Sequence, residues 1–203
     1  MDEVKHLVAI GASAGGIEGV KAIIKALPED FVSPIVVVLH LSRSKETFLV
    51  ELLGKGCKLK VKEADNQEAL QLATVYVAPR NYHLLLEDDL RFSLSVDDPV
   101  NFSRPSVDVF FESAADVMGP RLTGVILSGG NADGAIGLAK IKEMGGTTVV
   151  QDPESVRFSA MPEAAIRVTE VDFVLPVEEI AEKLVELSAA NYKAGFMDGD
   201  RYA

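Results

Sequence analysis

Apolar, β-branched runs alternate with amphipathic stretches along most of the chain. Val4–Ile10 reads as a buried strand, and Gly16–Leu27 as a helix with Ile17, Val20, Ile24 and Leu27 on one face. Pro28 ends that helix, because its ring fixes φ and it has no N–H to donate. Pro34–Leu39 reads as the second strand, Glu46–Leu53 as a short helix closed by Gly54, and Leu59–Lys62 as a third strand. Ala73–Pro79 is β-rich, and Tyr82–Ser95 predicts two antiparallel strands joined around Asp88 and Asp89. Ser106 stands as the N-cap of a helix through Met118, with Val107, Phe110, Phe111, Ala114 and Val117 inward.

Arg121–Leu127 is another buried strand, followed by the loop Ser128–Gly134, a helix over Ala135–Met144 and a strand at Thr147–Val150. Gln151–Glu170 reads mainly as loop, with one short helix after Pro162. Asp172–Leu175 is the last strand, and Val177–Leu187 an amphipathic helix with Ile180, Leu184 and Leu187 inward. The alternation predicts an α/β fold: a doubly wound, mainly parallel sheet with helices on both faces and a β-hairpin insertion. Residues 1–190 are expected to form one domain and 191–203 a loosely ordered, polar C-terminal tail.

Composition narrows the function classes. Among 203 residues, 48% are hydrophobic and 25% charged, and the net charge is -11. That balance suits a globular domain and excludes a nucleic-acid binder, which needs a basic face to neutralise phosphates. No apolar stretch approaches the roughly 20 residues of a membrane span, and the acidic start breaks too early for a signal peptide. The single cysteine, Cys57, permits no internal disulfide and has no CxxC partner, so it reads as a bystander thiol in a reducing, cytoplasmic setting. The three histidines lack metal-ligand spacing, which argues against a zinc hydrolase and leaves no metal or organic cofactor implied.

Against that background, three polar residues follow apolar runs: Ser13, His40 and Asp133. If those runs are parallel strands, all three emerge at the carboxyl edge of one sheet, where open α/β sheets bind ligands. A hydroxyl, an imidazole and a carboxylate are the parts of a nucleophilic triad, recognised by geometry and not by chain order. Gly11–Gly16 satisfies G-x-S-x-G between a strand and a helix, the context of a nucleophile elbow. A phosphate-binding glycine loop also sits between strand and helix, so both readings stand for this motif alone. His40, ending VVVLH, favours the first, because adjacent strands roughly 4.8 Å apart can bring it to the serine. Asp133 either caps the following helix or orients the imidazole. Backbone N–H groups at Ala14, Gly129, Gly130 and Asn131 are the candidate oxyanion donors. His83 reads as a rim or packing residue, and His6 lies at the wrong end of its strand for chemistry.

At these residues the sequence resembles the catalytic domain of the chemotaxis protein-glutamate methylesterases, the CheB family. The landmarks are IGASAGG (Ile10–Gly16), VVLHL (Val37–Leu41), VYVAPRNYHL (Val75–Leu84), RPSVDVFFESAA (Arg104–Ala115), GVILSGGNADGAIGL (Gly124–Leu138) and QDPESVRFSAMPEAAI (Gln151–Ile166). The resemblance implies Ser13 as nucleophile, His40 as general base and acid, and Asp133 as the orienting carboxylate. It implies hydrolysis of glutamate γ-methyl esters on the cytoplasmic helices of methylated chemoreceptors, with receptor glutamine deamidation in some members. No receiver domain precedes the esterase region in this sequence, so a separate receiver or chemosensory signalling protein is an expected partner. Three departures stand out: Ala14 where many members have threonine, Asn131 in place of the loop's second glycine, and LSRS after His40. The altered Asn131 loop and the lack of a preceding receiver motivate a second reading, a catalytically idle domain that binds signalling partners.

Overall fold

The computed structural model describes residues 3–40 and 48–199, with 194–199 as backbone only. In chain order the elements are β1 (Leu7–Ala12), α1 (Gly16–Ala26), β2 (Ile35–Leu39), α2 (Leu49–Gly54), β3 (Lys60–Glu63), β4 (Thr74–Val77), β5 (His83–Leu86) and β6 (Phe92–Ser95). They continue with α3 (Val107–Met118), β7 (Leu122–Ile126), α4 (Ala135–Glu143), β8 (Thr147–Gln151), α5 (Ala160–Val168), β9 (Phe173–Leu175) and α6 (Val177–Gly199).

Seven strands form one parallel sheet in the order β3-β4-β2-β1-β7-β8-β9, and β5 and β6 pair as a separate antiparallel hairpin. The chain winds outward from β1 through β2 on one side and resumes through β7 on the other. The crevice at the carboxyl ends beside β1 is thus a topological switch point, the usual ligand position in such sheets.

Strand parity builds two cores. Leu7, Ala9, Val36 and Val38 face α3, α4, α5 and the hairpin, where Phe110, Phe111, Leu138 and Met161 are buried. Val8, Ile10, Val37 and Leu39 face the opposite way, onto Val20, Ile23, Leu53, Ile180 and Leu184 of α1, α2 and α6. Each fully buried side chain of this size contributes roughly 1.5–3 kcal/mol, so covering both faces makes every β1 and β2 position apolar, as observed.

Some expected elements differ at their edges. Helix α1 buries Val20, Ile24 and, at its C-cap, Leu27 as expected, adds Ile23 to the same face and leaves Ile17, in its first turn, half-buried. The second helix spans Leu49–Gly54, and the start expected at Glu46 lies outside the described residues. Helix α5 begins at Ala160, before Pro162, which occupies the first turn, where a missing N–H breaks no helical bond. Helix α6 continues to Gly199, through most of the stretch read as a tail; alanines and Lys193 are good helix formers, and the Asn191 side chain bonds back to the Leu187 carbonyl at 3.0 Å. No described helix is long and apolar enough to cross a membrane.

Candidate active site

Strand register places the first two functional groups. Ala12 pairs with Leu39 at the carboxyl ends of β1 and β2, so the next residues along, Ser13 and His40, stand side by side. The His40 backbone N–H donates to Ala12 O at 3.0 Å, which holds the two strand ends together. By parity both residues continue the rows of Ala9 and Val38, on the α3 side of the sheet.

The turn after Ser13 depends on its glycines. Gly15 adopts φ 80°, a left-handed conformation that glycine enters without steric cost. A Cβ on Gly16 would lie 2.9 Å from Ser128 O and 2.6 Å from the Ala12 Cβ. The Ser13 loop is laced to the loop after β7: Ser13 N donates to Ser128 O at 3.0 Å, and Ser128 Oγ donates to Ala14 O at 3.0 Å. Ser128 N in turn donates to Gln151 Oε1 at 2.9 Å, extending the tie to β8.

Asp133 is fully buried and approaches His40, its Oδ2 lying 2.8 Å from the imidazole Nε2. The contact becomes a full ion pair when the imidazole takes up a proton. The carboxylate does not cap its own helix, whose N-cap is Gly134. It caps α3 instead: Oδ2 accepts from Val107 N at 2.7 Å, and Oδ1 from Ser106 Oγ at 2.7 Å and Asp108 N at 3.2 Å. Asn101 Nδ2 adds a further donor to Oδ1 at 3.2 Å. Burial pushes this carboxyl's pKa up, but the imidazole, the Val107 N–H and the Ser106 hydroxyl together outweigh it and bring the pKa well below the usual range. The positive end of the α3 dipole acts in the same sense.

The imidazole's other nitrogen, Nδ1, lies 3.5 Å from Asn131 Nδ2. Asn131 Oδ1 accepts from Asp133 N at 3.3 Å, which orients that side chain. The left-handed position in this loop is Gly134 (φ 93°) and not Asn131, so an asparagine in place of glycine at 131 imposes no backbone strain. Gly129 N donates to Phe158 O at 3.0 Å, so its amide anchors the loop and is already engaged.

Beside His40 opens a cavity of about 760 Å³, lined among others by Phe48, Arg80, Phe102, Arg104 and Pro105. Phe102 is fully exposed at its rim, with φ 61°, and Phe48 is also exposed. The LSRS stretch at 41–44 lies outside the described residues. His83 is buried, its Nε2–H donating to Asp98 O at 3.1 Å and its Nδ1 accepting the Ser106 N–H at 3.3 Å, which is a packing role. His6 is buried at the opposite end of the sheet between Ser33 Oγ and Thr123 Oγ1, each at 2.9 Å. Cys57 Sγ lies 3.7 Å from Ile24 O, away from the cleft. Among the described residues, no group of three or more His, Cys, Asp or Glu side chains is arranged to hold a metal.

Sequence reasoning missed Asn101, Asp108 and the second function of Ser106. The turn-rich NFSRPS run was the available signal, read only as a helix start.

Comparison with known proteins supplies an independent view. A family model described as CheB methylesterase matches residues 8–184. A relative from Leptospira interrogans is 50% identical over 184 residues, covering 91% of this chain and 95% of its own. A protein from Carboxydothermus hydrogenoformans named protein-glutamate methylesterase/protein-glutamine glutaminase 1 is 40% identical over 89% of this chain, which spans 54% of that protein. Among solved structures, the CheB methylesterase catalytic domain of Thermotoga maritima superposes with a TM-score of 0.86 at 37% identity, covering 90% of this chain and 98% of that one.

Proposed function

The chain belongs to the CheB methylesterase family, and on that premise we propose that it is a serine esterase hydrolysing glutamate γ-methyl esters on the cytoplasmic helices of methylated chemoreceptors. The observation that carries the reading is the buried Asp133 carboxylate 2.8 Å from His40 Nε2, with Ser13 beside His40 in strand register. An idle partner-binding domain gives no reason to keep such a pair, since replacing buried ion pairs by apolar groups is often neutral or stabilising.

With Nε2 turned to Asp133, the lone pair on Nδ1 is the base. Ser13 Oγ attacks the ester carbonyl carbon as Nδ1 takes its proton, and Asp133 stabilises the imidazolium that forms. Backbone N–H groups of Ala14, Gly130 and Asn131 receive the oxyanion, with the α1 N-terminus adding its positive dipole. Collapse breaks the carbonyl–methoxy bond, and the imidazolium proton leaves with methanol. Water then gives its proton to Nδ1 and attacks the acyl-Ser13 carbonyl. The proton returns to Oγ, and glutamate is released. The same steps with ammonia as leaving group deamidate glutamine, the second activity in the relatives' names. The work belongs in the cytoplasm, under control of a receiver or other chemosensory signalling protein.

The test mixes the purified protein with receptor carrying radiolabelled methyl esters and follows methanol release. Release is expected to fall at least a thousandfold in Ser13→Ala. Undiminished release by that variant overturns the assignment.

A further inference from the structure

Behind the His40–Asp133 pair lies a second buried carboxylate. Asp108, in the first turn of α3, is 5% exposed. Its Oδ1 accepts from Gly137 N at 2.7 Å, and its Oδ2 accepts from Asn101 Nδ2 at 2.8 Å. That same amide nitrogen donates to Asp133 Oδ1 at 3.2 Å. One NH₂ group thus spends both protons on two carboxylates, a use with no bearing on solvent exposure of the loop. Asn101 holds φ 50°, in the left-handed region, to present the amide this way. With Asn101, Ser106 Oγ and Asp108 N on Oδ1 and Val107 N on Oδ2, the carboxylate of Asp133 has no freedom to rotate away from the imidazole.

We propose that Asp108 and Asn101 are positioning residues of the site: the shared amide fixes Asp133 against His40, and the Asp108 carboxylate adds a second negative charge to the field in which the imidazole takes up and gives back its proton. Burial, followed by the nearby Asp133 charge, favours the protonated form of Asp108, so this second charge varies with pH as the two carboxylates titrate together. The other titratable groups acting on the pair are His40 and Glu112 of α3, while Glu51, Glu63, Arg80 and Arg104 line the cavity on the other side of His40.

The inference rests on the esterase reading of the site, and its test separates the two. Histidine imidazoles are followed by NMR across pH in the full chain, His40 being assigned by its loss in His40→Gln, and kcat/KM for methylated receptor is measured over the same range. Asp108→Asn removes the negative charge that Asp108 carries above about pH 6, so the His40 titration and the acidic limb of kcat/KM are expected to move to lower pH by roughly half a unit. Asn101→Ala removes the donor that compensates both carboxylates, so both readouts move the opposite way, by a smaller amount. A merely structural role lowers activity without moving either titration, and that result in both variants overturns the proposal. If Asp108→Asn does not fold, Asn101→Ala decides alone, because Asn101 lies on an exposed loop outside the core; an unshifted His40 titration there overturns it. A wild-type protein without turnover sinks the esterase reading, while the NMR titrations still decide the positioning.

Discussion

Asp108 and Asp133 cap one another's helices. Asp133 precedes α4 yet receives the first N–H groups of α3, while Asp108 opens α3 and receives the Gly137 N–H in the first turn of α4. Each carboxylate meets the positive end of a dipole that is not its own. The exchange locks the two helices together at the point where the imidazole must be held.

Asp133 therefore has two separable jobs. Asp133→Ala strands the Val107 and Asp108 N–H groups and the Ser106 hydroxyl in a buried pocket, and is expected to cost about 2–4 kcal/mol of stability as well as activity. Ser13 is half-buried at a loop and accepts no comparable set of bonds through its side chain, so Ser13→Ala is expected to abolish turnover while changing stability by less than about 0.5 kcal/mol. Urea denaturation of the two variants beside their methanol-release rates checks the contrast; equal stability losses would refute it.

The proposed triad was legible because its logic is topological. Ser13, His40 and the 128–134 loop each follow a run that reads as a strand, and parallel strands deliver whatever follows them to one edge. Asn101, Ser106 and Asp108 were not legible for the opposite reason. Asp108 in a first helical turn looks like an ordinary acid placed favourably in its own helix dipole, and nothing local says that it faces another helix. Asn101 works through a left-handed backbone and an amide aimed across 32 residues of sequence. The helix over residues 191–199 was not legible because Asn191, Gly195, Asp198 and Gly199 are poor helix formers, and the segment is helical as the continuation of α6.

The crossed caps require α3 and α4 to approach closely, and Gly137 permits it. A Cβ there would stand 2.5 Å from the Phe111 Cβ and 3.1 Å from the Asp108 carbonyl oxygen. Alanine is the better helix former by about 1 kcal/mol, but overpacking typically costs about 1–3 kcal/mol. Gly137→Ala is thus expected to destabilise the protein and to lower kcat, because the displaced helix carries Asp108 with it. A more stable variant in thermal melts would show that the contact has slack.

Phe102 has no packing role to lose. It is fully exposed on the cavity rim, beside Asn101, in a left-handed conformation that a bulky residue rarely adopts. Exposed aromatics around a cleft mark contact surface. Phe102→Ala is expected to raise KM for receptor roughly tenfold, with kcat and the urea midpoint unchanged. Steady-state kinetics against receptor concentration checks this, and an unaltered KM counts against receptor contact there.

His6 controls stability far from the chemistry. It is fully buried between Ser33 and Thr123, and Ser33 Oγ sits 2.6 Å from Ser188 Oγ of α6. Burial lowers its pKa to about 4, against roughly 6.5 unfolded. Between those values the unfolded chain binds a proton that the folded chain refuses, so stability rises with pH from about 4 to 6.5, by at most about 1.4 kcal/mol per unit. Asp108 works in the contrary sense: its raised folded pKa means that the folded state holds the extra proton, and stability falls as pH climbs from the unfolded value near 4 toward the folded one. Asp133, held low, matters only in more acid solution, where its contribution is lost as pH drops through its folded pKa. Urea midpoints from pH 4.5 to 7 are therefore expected to rise with pH in the wild type, and to lose or reverse that slope in His6→Gln. A slope that survives the substitution unchanged would assign the pH dependence to other groups.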